Sequence, residues 1–150
     1  LWISILRLKR FPCEEYWWKE EKLVSGKRIS YTWLALGYAI LILIISSIPD
    51  LSPPELGFRF QDKFYHFLEY AIFSILLFFA LFNSPRNFLK KNFLIIAILI
   101  GLVFAAIDEI HQSLIPGRSA DVADFLADFL GLLFVQLFFW FYYRKRPIVR

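Results

Sequence analysis

The sequence predicts an all-α integral membrane bundle of four transmembrane helices, on three observations. Four long apolar stretches follow one another, 59% of the residues are hydrophobic and 20% aromatic, and the basic residues crowd onto alternate connections. Soluble chains are only about half apolar, and a soluble domain of 150 residues cannot hide a larger apolar share. The excess has to face lipid, for which long uncharged runs are the usual mark. The expected organisation is an N-terminal cytoplasmic or interfacial segment over residues 1–30, one membrane domain over 31–143 and a basic cytoplasmic tail over 144–150.

The N-terminal segment mixes Arg7, Lys9, Arg10, Lys19, Lys22, Lys27 and Arg28 with Glu14, Glu15, Glu20 and Glu21 and with Trp17 and Trp18. Such a mixture suits a helix lying on the membrane surface, with aromatic rings at headgroup level. A loosely ordered arm fits equally, and residues 1–11 read as a tail. The first apolar stretch, Tyr31 to Ile48, carries no charge and stops at Pro49. The second, Phe64 to Phe82, is apolar apart from His66 and Glu69. The third, Asn92 to Ile107, is short, and extending it through Gln112 restores the length needed to cross while drawing Asp108 and His111 to the membrane edge. The fourth, Val122 to Tyr143, is clean after Asp128. Ala97, Gly101 and Ala105 form a small-residue stripe along the third helix, where a neighbour can approach closely. Phe138 to Tyr143 form an aromatic run suited to anchoring at the interface.

Charge predicts the orientation. Seven basic residues precede the first helix, three (Arg86, Lys90, Lys91) lie between the second and third, and four (Arg144, Lys145, Arg146, Arg150) follow the fourth, which is fourteen of the seventeen. Loops rich in Lys and Arg stay inside, so both termini are expected to be cytoplasmic. The connections around 49–63 and 108–121, holding only Arg59, Lys63 and Arg118, are expected outside. The net charge of +4 is therefore a topology signal directed at anionic lipid, and no nucleic-acid partner is expected. Cys13 is the only cysteine, so the chain can form no internal disulfide.

The chemistry gathers at the predicted outer ends. In QDKFYHFLEY, Asp62, His66 and Glu69 share one helical face, with Lys63 beside them. In AAIDEIHQSLIPGR, Asp108 shares a face with His111 and Gln112, and Glu109 with Gln112, before Pro116 and Gly117 turn the chain. In SADVADFLADFLG, Asp121, Asp124 and Asp128 lie at steps of three and four, and Gly131 continues the stripe. Each ionisable group at membrane depth costs on the order of 3 kcal/mol on insertion scales, so several together face a bundle interior or a wet cavity rather than lipid. The catalytic candidates are His66, Glu69, Asp108, Glu109, His111 and Asp124. The binding candidates are Asp62, Lys63, Gln112, Arg118, Asp121 and Asp128.

Histidines among carboxylates exchange protons near neutral pH, and Lys63 with Arg118 suits an anion. That set would serve acid–base processing of a lipid headgroup. It would equally serve a small proton-linked transporter, whose relays use the same residue types, although the inner halves of the helices offer little beyond Gln136. A third reading makes the cluster architecture in a noncatalytic scaffold: Lys63 and Arg118 pair with Asp62, Asp108 or Asp124, and Asp121 favours the start of the fourth helix. His66, His111 and the carboxylates are competent metal ligands, but no HExxH spacing is present and the ligands would have to converge from separate helices. Asp50, Glu55 and Arg59 read as a solvated loop.

The run from DKFYHFLEY to DEIHQSLIPGRSADVADFLADFLG resembles the VanZ-like family, which has a D-K-x-x-H segment followed by D-E-x-H-Q, P-G-R and a spaced acidic residue ahead of a glycine. The likeness covers more than half the chain, from about Ser46 to Gly131, and the ordered pair of motifs is specific. It departs in having Asp128 where the family commonly has Asn, and Val135 near a position that is often small. The resemblance implies a multi-pass protein of the bacterial cytoplasmic (inner) membrane, related to the teicoplanin-resistance protein. The implied partners are membrane lipids and a lipid-linked cell-wall precursor or a glycopeptide. Association into a homo-oligomer is a further expectation for so small a bundle. The group is defined by a resistance phenotype, so the reaction has to be argued from the site.

Overall fold

The computed structural model describes residues 30–50 and 57–144. The N-terminal segment expected to be cytoplasmic or interfacial, up to residue 29, and most of the basic tail lie outside the described residues. Among those described, five helices and no strand occur: α1 Tyr31–Ser46, α2 Gln61–Phe82, α3 Asn87–Lys91, α4 Phe93–Gln112 and α5 Val122–Arg144. This is an all-helical membrane bundle. α2, α4 and α5 are long and apolar enough to cross a membrane, and α1 is a shorter apolar helix. With 16 residues, α1 extends only about 24 Å at 1.5 Å per residue.

Local chemistry sets these boundaries. α1 ends where Ser47 Oγ turns back to the Leu43 carbonyl at 2.6 Å, just ahead of Pro49. α2 begins three residues earlier than its apolar run, with Asp62 in its first turn, where a carboxylate favours the positive helix terminus. Its far end is closed by Asn83 Nδ2 donating to the Phe79 carbonyl at 2.8 Å, with Pro85 following. The short α3, which the sequence did not predict, fills the basic connection, and Asn92 Nδ2 reaches the Phe88 carbonyl at 2.8 Å where the chain turns into α4. α4 runs through Gln112, as the length argument expects. Gly117, at φ +79°, then makes the turn that a side chain would resist, and a Cβ there would also collide with the Asp50 carboxylate. At the start of α5, Asp121 Oδ1 accepts the Ala123 N–H at 2.8 Å, the bond that caps a helix N-terminus.

α2 is the centre of the bundle, packing on α5, α1 and α4, with α4 also against α5. The faces of α4 show the lipid pattern: Ile95, Leu99, Val103 and Ile107 are exposed, whereas Ala97 and Ala105 are fully buried. Gly101 faces Leu132 of α5, so the small-residue stripe is a packing surface. A Cβ at Gly101 would meet the two methyls and, at 3.1 Å, the Cγ of the Leu132 side chain, whose far end can shift. Gly101→Ala is expected to cost no more than about 2 kcal/mol, because overpacking of about 1–3 kcal/mol is offset by about 1 kcal/mol of helix propensity. Reversible unfolding in mixed micelles would measure it.

The two ends of the bundle differ. At the end where α2 finishes, Phe78 stacks on Phe139 with centroids 3.9 Å apart and planes within 5°. Phe82, Phe93 and Tyr143 crowd the same rings. Above this aromatic plug, Gln136 Nε2 donates to Ser74 at 2.9 Å to Oγ and 3.0 Å to the carbonyl, and Ser74 Oγ donates to the Leu132 carbonyl at 3.1 Å. This pair ties α2 to α5. Every ionisable candidate lies beyond it, at the opposite end.

Candidate functional site

The site is assembled by three helix ends and one turn. α2 enters it with Asp62, Lys63, His66 and Glu69, α4 with Asp108, Glu109 and Gln112, and α5 with Asp124 and Asp128, while the 113–121 connection brings Arg118 and Asp121. His66, Asp108, Glu109, Gln112, Asp124 and Asp128 are all buried. Convergence follows from helical spacing and from the close contact of α2 with α5 at Gly131, where a Cβ would strike the Phe67 carbonyl oxygen and lie 3.0 Å from the Ala71 nitrogen.

Lys63 is the hub of the outermost layer. Its ammonium lies 3.2 Å from Asp62, 2.8 Å from Asp121 and 2.6 Å from Asp124, so one cation joins α2, the connection and α5. The Lys63 ammonium, and then the Ala123 N–H, hold the Asp121 carboxyl below its ordinary value. A lowered folded value means that this contribution is present above the ordinary carboxylate range and is lost as pH falls through the lowered value. One turn deeper, His66 Nδ1 and Asp128 Oδ1 are 3.1 Å apart, with Asp128 fully buried. Glu109 Oε2 accepts the Asp121 backbone N–H at 2.9 Å. Gln112 Nε2 donates to Asp108 Oδ2 at 2.9 Å and to Ser46 Oγ at 3.4 Å, and Arg118 Nη1 donates to Gln112 Oε1 at 3.3 Å. Glu69 is half-buried and within electrostatic reach of His66, Asp108 and Asp128.

Several buried polar atoms in this network have no protein partner: Asp108 Oδ1, Glu109 Oε1, Asp128 Oδ2 and Arg118 Nε. Buried polar groups are nearly always paired with protein or ordered water, so these are the atoms of the network open to water or a ligand. Two groups of side chains have the spacing to hold a metal ion, Asp62, His66 and Asp124, and His66, Glu109 and Asp128.

The placement of His111 differs from that of its predicted neighbours. Its Nε2 is 2.8 Å from Ser47 Oγ at the end of α1, on a partly exposed surface. Asp108 bonds Gln112 four residues on, the offset that stacks side chains along a helix, while the three-residue offset turns His111 toward α1. Ser46, Ser47 and Tyr38, whose hydroxyl donates to the Glu69 carbonyl at 3.3 Å, also support the site and were missed by sequence reasoning. A serine or tyrosine in an apolar helix carries no local signal of a partner more than thirty positions away.

No curated protein and no solved structure matches the chain. A family model does match, that described as VanZ/LLP1, over residues 11–143. Its reach across most of the sequence, through all the helices that build the polar end, establishes that the chain belongs to the VanZ/LLP1 family of multi-pass membrane proteins.

Proposed function

We propose that this protein captures the polar headgroup of a lipid-linked cell-wall precursor at the outer leaflet of the bacterial cytoplasmic membrane, and that this capture underlies resistance to a glycopeptide such as teicoplanin. The observation that carries the reading is the set of buried, unpartnered atoms at one end of the bundle, with Arg118 Nε facing a need for an acceptor and Asp108 Oδ1, Glu109 Oε1 and Asp128 Oδ2 facing a need for donors. A headgroup that combines phosphate with hydroxyl or amino groups supplies both, and a guanidinium is the side chain best suited to phosphate. Lys63 is already engaged by three carboxylates, which leaves the anchoring of phosphate to Arg118.

The distribution of Lys and Arg supports an outward-facing polar end with both termini cytoplasmic. The aromatic plug around Phe78 and Phe139 counts against a proton-linked transporter, because no ionisable residue of the described bundle bridges it to the other side. Capture from one leaflet needs no such path.

His66→Ala and Arg118→Ala should each yield inserted, folded protein that no longer retains the precursor. Lipids co-purifying with each variant, read by native mass spectrometry, should fall at least tenfold, on the order expected for loss of one charge-assisted contact of about 1.5–3 kcal/mol. Teicoplanin survival of the expressing cells should fall with them. Unchanged lipid retention and survival in both variants would overturn the proposal.

A further inference from the structure

We infer that His66, Glu109 and Asp128 form a site for one borderline divalent cation, of the Zn²⁺ or Mn²⁺ type, between α2, α4 and α5. One ligand atom from each lies within 4.8 Å of the others, and all three residues are buried. Glu109 is 7% exposed and Asp128 fully buried, yet Glu109 Oε1 and Asp128 Oδ2 have no partner. Two such carboxylates beside an imidazole carry two negative charges that a divalent ion cancels. An uncompensated buried carboxylate is costly.

The other candidate group identifies this one as the site. Asp62 and Asp124 already share the Lys63 ammonium at 3.2 and 2.6 Å, so a cation of the chain's own occupies that position. Glu109 receives only the Asp121 backbone N–H and Asp128 only the His66 ring. One nitrogen with two oxygen donors is a mixed set. Imidazole favours Zn and the later transition metals, whereas carboxylates suit Mn²⁺, Mg²⁺ and Ca²⁺ alike; the nitrogen donor is what turns the set away from Mg²⁺ and Ca²⁺, which take oxygen ligands. Three protein ligands leave coordination positions for water or substrate. The inference deepens the headgroup reading, since such an ion would lie at the same polar end of the bundle as Arg118, but the ion site itself stands on these three residues without lipid.

The full chain, purified in detergent and stripped with chelator, should take up a single equivalent of Zn²⁺ or of Mn²⁺ when either is added alone, measured by elemental analysis after desalting. Mg²⁺ and Ca²⁺ should not replace them. Glu109→Gln and Asp128→Asn should weaken uptake by at least about 100-fold, the upper end of what outer partners of a metal cost, whereas Asp62→Asn should leave it unchanged. X-ray absorption of the Zn²⁺-loaded wild-type protein should show one imidazole among oxygen donors, a readout that needs no variant to fold. No uptake, a shell containing sulfur or two imidazoles, or equal loss in Asp62→Asn would overturn the inference. Lipid retention by the chelated protein, measured separately, distinguishes failure of the ion site from failure of headgroup capture.

Discussion

Gly131→Ala is expected to destabilise the bundle by about 2 kcal/mol net, the upper part of the range for overpacking less the helix-propensity gain of alanine, and to reduce the yield of folded protein. Alanine is the better helix former by about 1 kcal/mol, so a gain would be expected at an unobstructed position. Here the added methyl meets backbone rather than side chain: the Phe67 carbonyl oxygen and, at 3.0 Å, the Ala71 nitrogen of α2. A helix backbone cannot rotate away as a leucine can, so α2 and α5 must separate. Asp128 lies one turn from Gly131 and faces His66 across the same seam, so the separation should also loosen the site. Steric trapping or unfolding in mixed micelles would read the energy. The contrast with Gly101→Ala, whose obstruction is the flexible end of the Leu132 side chain, is the sharper part of the prediction. Equal effects at the two glycines would show that the backbone contact is not what matters.

Lys63→Met should cost about 2–3 kcal/mol, and most of that should return when Asp124→Asn is added. Removing one partner of a fully buried pair costs about 3–5 kcal/mol, because the other charge is left stranded. Lys63 retains 28% of its side-chain exposure, and Asp62 and Asp121 are 53% and 45% exposed, so their pairs contribute little. The cost therefore concentrates on Asp124, whose side chain is only 8% exposed. Neutralising Asp124 removes the stranded charge, and the double-mutant cycle should show a coupling of about 1–3 kcal/mol. Independent, additive losses would mean that Lys63 acts through its methylene stem or through lipid.

Much of this architecture is legible in spacing and charge. The α2 face follows from Asp62, His66 and Glu69 at steps of four and three, and extending the third apolar run through Gln112 rested on the length needed to cross a bilayer, which α4 satisfies. Of the stripe Asp121, Asp124, Asp128 and Gly131, Asp124 and Asp128 are buried as the spacing predicts, whereas Asp121 stays partly exposed ahead of α5. What spacing does not convey is the choice among partners on different helices. Lys63 reads equally as an anion ligand or as a member of an ion pair, and only the approach of α5 gives it Asp121 and Asp124. His111 shares a face with Asp108 by periodicity, but the end of α1 offers Ser47 instead. α3 was missed because a five-residue helix leaves no periodic trace in a basic loop.

The three-way ion pair at Lys63 also constrains how the protein is made. The first turns of α5 carry Asp124 and Asp128, each costing on the order of 3 kcal/mol to place in lipid alone, so α5 is a poor candidate to leave the translocon unaccompanied. The ammonium and imidazole that receive those carboxylates sit on α2, which is synthesised earlier. Docking onto α2, already in the bilayer, would offset that cost for α5. A chain cut before residue 122 would release an α2 whose Lys63 and His66 have lost their acceptors on α5.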